Sequence, residues 1–137
     1  MIELYTDGAY SSKRDQGGIG VIVVKDGKLV QKLSAPYKGV TNNKMELLAV
    51  ITAINSIKGP IDDVTVFTDS MYVIGCATKN WKKKKNLRLW ALYDMVFEKV
   101  NALVTNGIKF EHVKGHADNK WNNLCDKIAV EASQLEL

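Results

Sequence analysis

The hydrophobic pattern of this sequence changes near residue 40, and that change limits the fold more than any other feature. Before it, residues 2–7 and 17–35 are rich in β-branched and aromatic side chains, and Asp26-Gly27 interrupts the second segment with a strong hairpin signal. After it, segments with the helical period alternate with short apolar segments that are typical of buried strands. The predicted order of elements is therefore β β β α β α α β α.

The elements after residue 40 have recognisable ends, because Gly59-Pro60 and Asn106-Gly107 each stop a helical pattern. The predicted elements are a helix over 42–57, a strand over 64–69, a short helix capped by Ser70 and running to about Thr78, a helix over 87–105, a strand over 108–113 and a helix starting near Lys120 or Asn122. The last two helices have predicted apolar faces formed by Leu89, Leu92, Val96, Val100 and Leu103, and by Leu124, Ile128 and Ala132.

A leading hairpin followed by alternating strands and helices predicts an α/β fold with a five-stranded mixed sheet flanked by helices. We expect strand one at the centre of the sheet, with strands four and five beside it through right-handed crossovers. The chain has 137 residues, 46% of them hydrophobic, which predicts one domain over residues 1–137.

Composition argues against a membrane protein. No segment approaches the ~20 apolar residues of a membrane span, and the first residues lack the basic and apolar regions of a secretory signal. Cys76 and Cys125 are too few and too far apart for a disulfide framework, and two buried thiols would indicate a reducing compartment, so the expected location is the cytoplasm. A zinc site that combined them with His112 and His116 would match no known spacing.

Basic residues are concentrated in one stretch of a chain whose net charge is +4. The segment 79–88, KNWKKKKNLR, has six basic residues and no acidic one. A solvated basic turn is one interpretation. The other is contact with a polyanion, which Trp81 and Trp90 favour because aromatic rings can stack on bases or pack on a nucleic-acid backbone.

Acidic residues stand at the predicted ends of two strands, Asp7 after strand one and Asp69 after strand four, and each follows a threonine. If these strands are neighbours, both carboxylates emerge at the same edge of the sheet. Glu46 lies beside the apolar stripe of its helix and could point over that edge, and Asp126 lies on the shoulder of the last helix. Each acid alone also has an ordinary interpretation, namely a turn, a helix cap, a first-turn glutamate or a solvated side chain.

Four carboxylates gathered at one place would repel one another, so without a cation some would be protonated. Such hard oxygen ligands suit Mg²⁺ or Mn²⁺ rather than zinc. Two ions about 4 Å apart can activate a water on one side of a phosphodiester and stabilise the leaving oxygen on the other. The acids and the lysines together therefore point to metal-dependent chemistry on a polyanion.

Four motifs, in this order and spacing, resemble those of ribonuclease H, type 1: TDGAY (6–10), NNKMEL (42–47), TDSMYV (68–73) and VKGHADNKWNNLCD (113–126). The resemblance covers nearly the whole chain. It implies the ribonuclease H fold and endonucleolytic cleavage of the RNA strand of an RNA–DNA hybrid. It also implies two Mg²⁺ ions, with Mn²⁺ as a substitute, and products with 5′-phosphate and 3′-hydroxyl ends.

The same resemblance assigns residues. The metal-binding, catalytic acids of the family correspond to Asp7, Glu46, Asp69 and Asp126. The family's mobile histidine, which helps in proton transfer or product release, corresponds to His116. His112, inside a strand, is interpreted as structural. The implied substrate-binding residues are Asn42 and Asn43 for the minor groove and the ribose 2′-hydroxyl, Thr41 and Asn80 for a DNA-strand phosphate, Trp81 beside the DNA path, and Lys82 and Lys83 in the basic turn.

The chain departs from the family pattern at three places. Met71 stands where a glutamine is often found, and Lys13 stands where an asparagine is common. The basic "handle" that many cellular relatives insert after the NWKK-like stretch is reduced to a short turn, somewhat as in reverse-transcriptase ribonuclease H domains. We therefore expect weaker hybrid binding that falls steeply with salt.

The leading hypothesis is a metal-dependent ribonuclease H that acts as a monomer, with no obligate protein partner visible. A catalytically weak hybrid- or duplex-binding module is the alternative, and the presence of all four acids argues against it. A related nuclease of the same fold, of the resolvase or integrase type, is a third possibility. Asn42, Asn43 and the His116 loop favour hybrid recognition over duplex DNA.

Overall fold

A computed structural model describes residues 1–113 and 119–136. Its elements follow the predicted order: β1 (Ile2–Ser11), β2 (Gln16–Lys25), β3 (Lys28–Lys38), α1 (Asn42–Asn55), β4 (Val64–Thr68), α2 (Met71–Thr78), α3 (Leu87–Asn101), β5 (Ile108–His112) and α4 (Lys120–Ser133). The predicted hairpin turn at Asp26-Gly27 joins β2 to β3, and Ser70 caps α2 by accepting a hydrogen bond from the Val73 N–H (3.2 Å). No helix of the described residues combines the length and apolar character that crossing a bilayer requires.

The five strands form one mixed sheet in the order β3-β2-β1-β4-β5, so the predicted α/β fold is confirmed. β1 is central and pairs antiparallel with β2 and parallel with β4. β5 pairs in parallel with β4, so strand five lies one strand away from β1 rather than directly beside it. The two parallel pairs, β1 with β4 and β4 with β5, are connected through helices, because a tight turn cannot join parallel strands.

The first strand is longer than predicted. β1 does not end at Asp7 but continues to Ser11, because its antiparallel pairing with β2 runs on to Ser11 opposite Gln16. Only the parallel pairing with β4 ends early, with Tyr5 opposite Phe67 as its last pair. Asp7-Gly8 is therefore extended backbone within a strand and not a turn.

Alternate residues of the central strands face opposite layers of helices, as the two-residue period of a strand requires. Leu4 packs into the large core with α1 and α3, whereas its neighbour Tyr5 packs with Cys125 of α4 on the other face. Most of the circumference of α1 is buried, since it lies between the sheet and α3. This explains why the sequence of α1 lacks a clearly polar face.

The buried face of α4 differs from the prediction. Cys125, Ala129 and Ala132 are buried, whereas Leu124 and Ile128 are only partly buried at the side of the contact. The cause is the close approach of α4 to Gly18 and Gly20 of β2: an added Cβ at Gly18 would lie 2.3 Å from the Ala129 carbonyl oxygen. Small side chains therefore occupy the centre of this interface.

The predicted face of α3 was also partly wrong. Trp90, Tyr93 and Val100 are its buried residues, and Leu92, predicted to face the core, is 42% exposed. The helix ends at Asn101 rather than near residue 105. Two aromatic side chains outside the aliphatic pattern fix the orientation of α3, because large rings bury more area than a leucine does.

Candidate active site

The pairing of β1 with β4 places two carboxylates next to each other. The last parallel pair is Tyr5 with Phe67, and Asp7 and Asp69 each follow two residues later on their chains. The Thr6 hydroxyl donates a hydrogen bond to the Phe67 carbonyl oxygen (3.0 Å), which ties the two chains together just before the acids. The predicted shared edge is therefore present, although β1 continues past it.

Glu46 reaches this edge because α1 begins close to β1. Thr41 caps α1 by accepting a hydrogen bond from the Lys44 N–H (3.2 Å). A Cβ at Gly8 would lie only 2.4 Å from the Glu46 backbone nitrogen, so the missing side chain allows the approach. The Gly8 N–H donates hydrogen bonds to both the Glu46 and the Asp7 carboxylates, and thereby links strand and helix at the site.

Three of the predicted acids form a compact cluster. One carboxylate oxygen from each of Asp7, Glu46 and Asp69 lies within 4.8 Å of the other two. Asp7 and Glu46 are each 6% exposed, and Asp69 is half-buried. Asp126, on the exposed side of α4, lies outside this set of oxygens but beside Asp7, with whose carboxyl group it interacts.

The charges in this cluster oppose one another. Burial, followed by the charge of Asp7 and a hydrogen bond with Asp69, raises the pKa of Glu46 to about 11. Burial, a hydrogen bond with Asp126 and the charge of Asp69 raise the pKa of Asp7 to about 8. Both shifts show that the site disfavours full ionisation unless positive charge is supplied.

The donor set fits a hard divalent cation. All the clustered donors are carboxylate oxygens, which Mg²⁺ and Mn²⁺ prefer. Across the described ranges 1–113 and 119–136, this is the only cluster of three or more histidine, cysteine, aspartate or glutamate side chains suited to a metal. Cys76 and Cys125 are both buried and free, and neither belongs to it.

Cys125 packs between α4 and the sheet, close to the acidic cluster. Its thiol donates to the carbonyl oxygens of Tyr5 (3.3 Å) and Gly20 (3.1 Å), between the two central strands. Burial, followed by the charges of the neighbouring acids, raises the pKa of this thiol far above its usual range. It therefore remains protonated and acts as a small packing group that lets α4 lie against the sheet.

Of the two histidines, His112 lies within the described residues and His116 does not. His112 ends β5, and its Nε2 lies 3.2 Å from the Asp69 carbonyl oxygen, a contact that fits its structural interpretation. His116 lies outside the described residues. Its predicted role in turnover stays a prediction.

A groove of about 620 Å³ begins at Asn42 and Asn43, about one helical turn before Glu46. One wall is the start of α1, whose next turn carries Glu46, and the other is formed by α2, which starts after Asp69, and by the basic turn that follows it. The lining residues are Thr41, Asn42, Asn43, Tyr72, Cys76, Trp81, Lys82, Lys84, Lys85 and Asn86.

Five of the seven predicted substrate-binding residues line this groove, and two do not. Asn80 is exposed outside the lining, with a left-handed backbone (φ +57°) that turns the chain after α2. Lys83 places its ammonium group 5.1 Å from the centre of the Trp90 ring instead. Lys84 and Lys85 line the groove but were not singled out from the sequence, although the unbroken lysine run was a visible signal.

Comparisons with known proteins agree with this geometry. The family model described as RNase H matches residues 1–134. The ribonuclease H of Trichodesmium erythraeum is 38% identical and the ribonuclease HI of a Synechocystis strain is 35% identical, and each alignment covers 97% of this chain and 88% of the relative.

A solved structure gives an independent comparison of the fold. The structure titled LC11-RNase H1 in complex with RNA/DNA hybrid superposes with a TM-score of 0.72, at 21% identity, over 96% of this chain and 99% of that one. The sequence-based prediction of the family is thereby confirmed, as is the expectation of a nuclease enzyme. The chain belongs to the ribonuclease H family, type 1.

Proposed function

We propose that this chain is an endoribonuclease that hydrolyses the RNA strand of RNA–DNA hybrids with the help of two Mg²⁺ ions. The observation that carries the proposal is the convergence of Asp7, Glu46 and Asp69 beside a groove lined by asparagine, tryptophan and lysine side chains. Acids suited to cations and a basic surface suited to phosphates lie next to each other, which is the arrangement that nuclease chemistry requires.

The acids have distinct proposed roles. Asp7 in β1 and Asp69, the residue after β4, would contact both ions, Glu46 would hold one ion on the groove side, and Asp126 would complete the other ion's surroundings. When bound, the ions supply an activated water and stabilise the leaving oxygen, which gives 5′-phosphate and 3′-hydroxyl ends. Mn²⁺, which accepts the same oxygen donors, would substitute. His116 would assist proton transfer or product release.

The groove supports hybrid recognition. Asn42 and Asn43, in the first turn of α1, lie within one helical turn of Glu46, where they could contact a minor groove and a ribose 2′-hydroxyl next to the metals. Thr41 at the helix start offers a phosphate contact, and Trp81 offers a ring face to the other strand. Asn80 remains a proposed phosphate ligand from outside the groove lining. The structural neighbour with RNA/DNA hybrid supports the same substrate class.

A binding module without significant catalysis is the second candidate, favoured only by the short basic turn in place of a handle. The acidic cluster argues against it, since three mutually repelling carboxylates serve no purpose in a protein that only binds a polyanion. We further propose a cytoplasmic monomer, with the whole chain as one domain. The two free, buried thiols support a reducing location.

Cleavage assays with matched variants test the proposal. We expect the wild-type chain to cleave an RNA–DNA hybrid with Mg²⁺, to cleave duplex RNA and duplex DNA far more slowly, and to lose activity in EDTA. Asp69→Asn should lower kcat by a factor of about 10³ or more, because it removes a ligand charge at the reacting centre. Asp94→Asn, which changes an exposed acid of α3, is the control. Normal cleavage by Asp69→Asn would refute the assignment.

A further inference from the structure

The short helix α2 has a glycine in its middle, and nothing in the backbone explains it. Gly75 lies within Met71–Thr78 and does not have a positive φ. Glycine destabilises a helix interior relative to alanine, so glycine at this position needs a tertiary explanation. A Cβ at this position would lie 1.9 Å from Cε3 and 2.1 Å from Cδ2 of the Trp81 ring. The missing side chain is the space that the indole occupies.

The backbone also holds Trp81 against this helix. Its N–H donates a hydrogen bond to the Gly75 carbonyl oxygen (3.1 Å), and the left-handed residue Asn80 turns the chain back toward α2. Trp81 nevertheless remains 47% exposed and lines the groove. One side of the ring is therefore seated on the helix, and the rest is available to a ligand.

The other end of the basic segment is fixed one turn earlier on the same helix. The Tyr72 hydroxyl accepts hydrogen bonds from Trp90 Nε1 (2.8 Å) and from Asn86 Nδ2 (3.1 Å). Asn86, with φ of +57°, is the N-cap residue of α3, where the lysine turn (residues 82–85) ends. Lys83 packs over the ring of the same Trp90. Tyr72 and Gly75, at i and i+3, thus face the two ends of residues 81–86.

We propose that Tyr72 and Gly75 are positioning residues that hold Trp81 and the lysine turn as a preformed wall of the nucleic-acid groove. The inference rests on the proposed function, because it names how the hybrid-binding surface is kept in shape. A wall that is already in place loses less conformational entropy when the ligand binds, so the short turn can contribute affinity that a flexible lysine-rich loop would lose.

Steady-state cleavage of an RNA–DNA hybrid by Gly75→Ala tests the proposal. The new methyl group would displace the Trp81 ring, so we expect KM to rise about tenfold, as in Trp81→Ala, with kcat unchanged within about twofold. The double variant Gly75→Ala/Trp81→Ala should show no further rise in KM. Gly59→Ala is the matched control, because a Cβ at Gly59 meets no atom within 4 Å.

Thermal unfolding gives a readout that does not depend on activity. Gly75→Ala should lower Tm in the wild-type background and raise it in the Trp81→Ala background, where the ring no longer blocks the methyl group. Tyr72→Phe should raise KM and leave kcat unchanged. Equal Tm changes in both backgrounds, or an unchanged KM in both Gly75→Ala and Tyr72→Phe, would overturn the inference. Absence of hybrid cleavage by the wild-type chain would instead overturn the proposed function, and the Tm test would still stand.

Discussion

Four consecutive lysines that look equivalent in the sequence have different environments in the structure. Lys84 and Lys85 line the groove, whereas Lys83 lies over the Trp90 ring. A lysine that neutralises a phosphate contributes to the salt dependence of binding, and a lysine held by an aromatic ring contributes mainly to the fold. The identity of a residue in a basic run therefore does not determine its role.

We expect Lys84→Ala and Lys85→Ala each to reduce the slope of log hybrid affinity against log salt concentration by roughly one, because each removes a phosphate contact. Lys83→Ala should leave the slope unchanged and lower the free energy of unfolding by about 0.5–1 kcal/mol. Binding titrations at several salt concentrations measure the slopes, and Lys99→Ala, at the far end of α3, is the charge-matched control. A smaller slope for Lys83→Ala alone would contradict this division of roles.

The sequence predicted that Asp7 and Asp69 lie close together, but for a partly wrong local reason. Asp7 was predicted to end a strand, yet β1 runs four residues further. The prediction of proximity succeeded because only the parallel pairing with β4 had to end there. The side-chain position of Lys83 was not predictable, since it depends on the left-handed turn at Asn86 and on the orientation of Trp90, both of which are tertiary features.

At the scale of elements, the contact between α4 and β2 determines the position of Asp126 relative to the other three acids. An added Cβ at Gly18 would lie 2.3 Å from the Ala129 carbonyl oxygen and 2.5 Å from the Ser133 backbone nitrogen. Backbone atoms on both sides leave little room for adjustment. The sequence predicted α4 and the burial of Ala132 correctly. It wrongly placed Leu124 and Ile128 at the centre of the contact, because apolar periodicity favours leucine and isoleucine over the small residues that a close approach needs.

Gly18→Ala should therefore push α4 away from the sheet and lower the free energy of unfolding by about 1–3 kcal/mol, as overpacking does in other cores. Urea denaturation measures the loss. Because Asp126 moves with α4, kcat should fall as well, even under conditions in which the variant is fully folded. Gly59→Ala serves again as the control in open space. A fully stable and active Gly18→Ala protein would show that the interface is less tight than described.

For the whole molecule, the order of elements and the handedness of crossovers were enough to predict a central β1 with β4 beside it, but not that β5 pairs with β4 alone. A central β1 with β4 beside it follows from the hairpin and from the right-handed connections. The orientation of α3 did not follow, because the burial of Trp90 and Tyr93 outweighs the aliphatic pattern that includes the exposed Leu92. Local patterns thus determine topology better than they determine which side of a helix is buried.

The acidic cluster makes the stability of the whole molecule depend on pH when no divalent ion is present. The folded state raises the pKa of Asp7 to about 8 and that of Glu46 to about 11, against about 4 for both groups in unfolded chains. Between these values the folded state binds more protons than the unfolded state, so the free energy of unfolding falls as pH rises. The stabilising contribution is complete below about pH 4 and is lost progressively toward and above pH 8.

We therefore expect the free energy of unfolding in EDTA to fall by a few kcal/mol between about pH 5 and pH 9. Mg²⁺ should restore much of this free energy at the higher pH, because a cation binds the ionised carboxylates of the folded state. Chemical denaturation at several pH values measures both effects. Glu46→Gln removes one of the repelling groups, so its unfolding should depend less on pH and respond less to Mg²⁺, whereas Asp94→Asn should behave like the wild type. Equal pH dependence in the wild type and Glu46→Gln would mean that the carboxylates are not strained in the folded protein, and the electrostatic argument for a metal at this site would then fail.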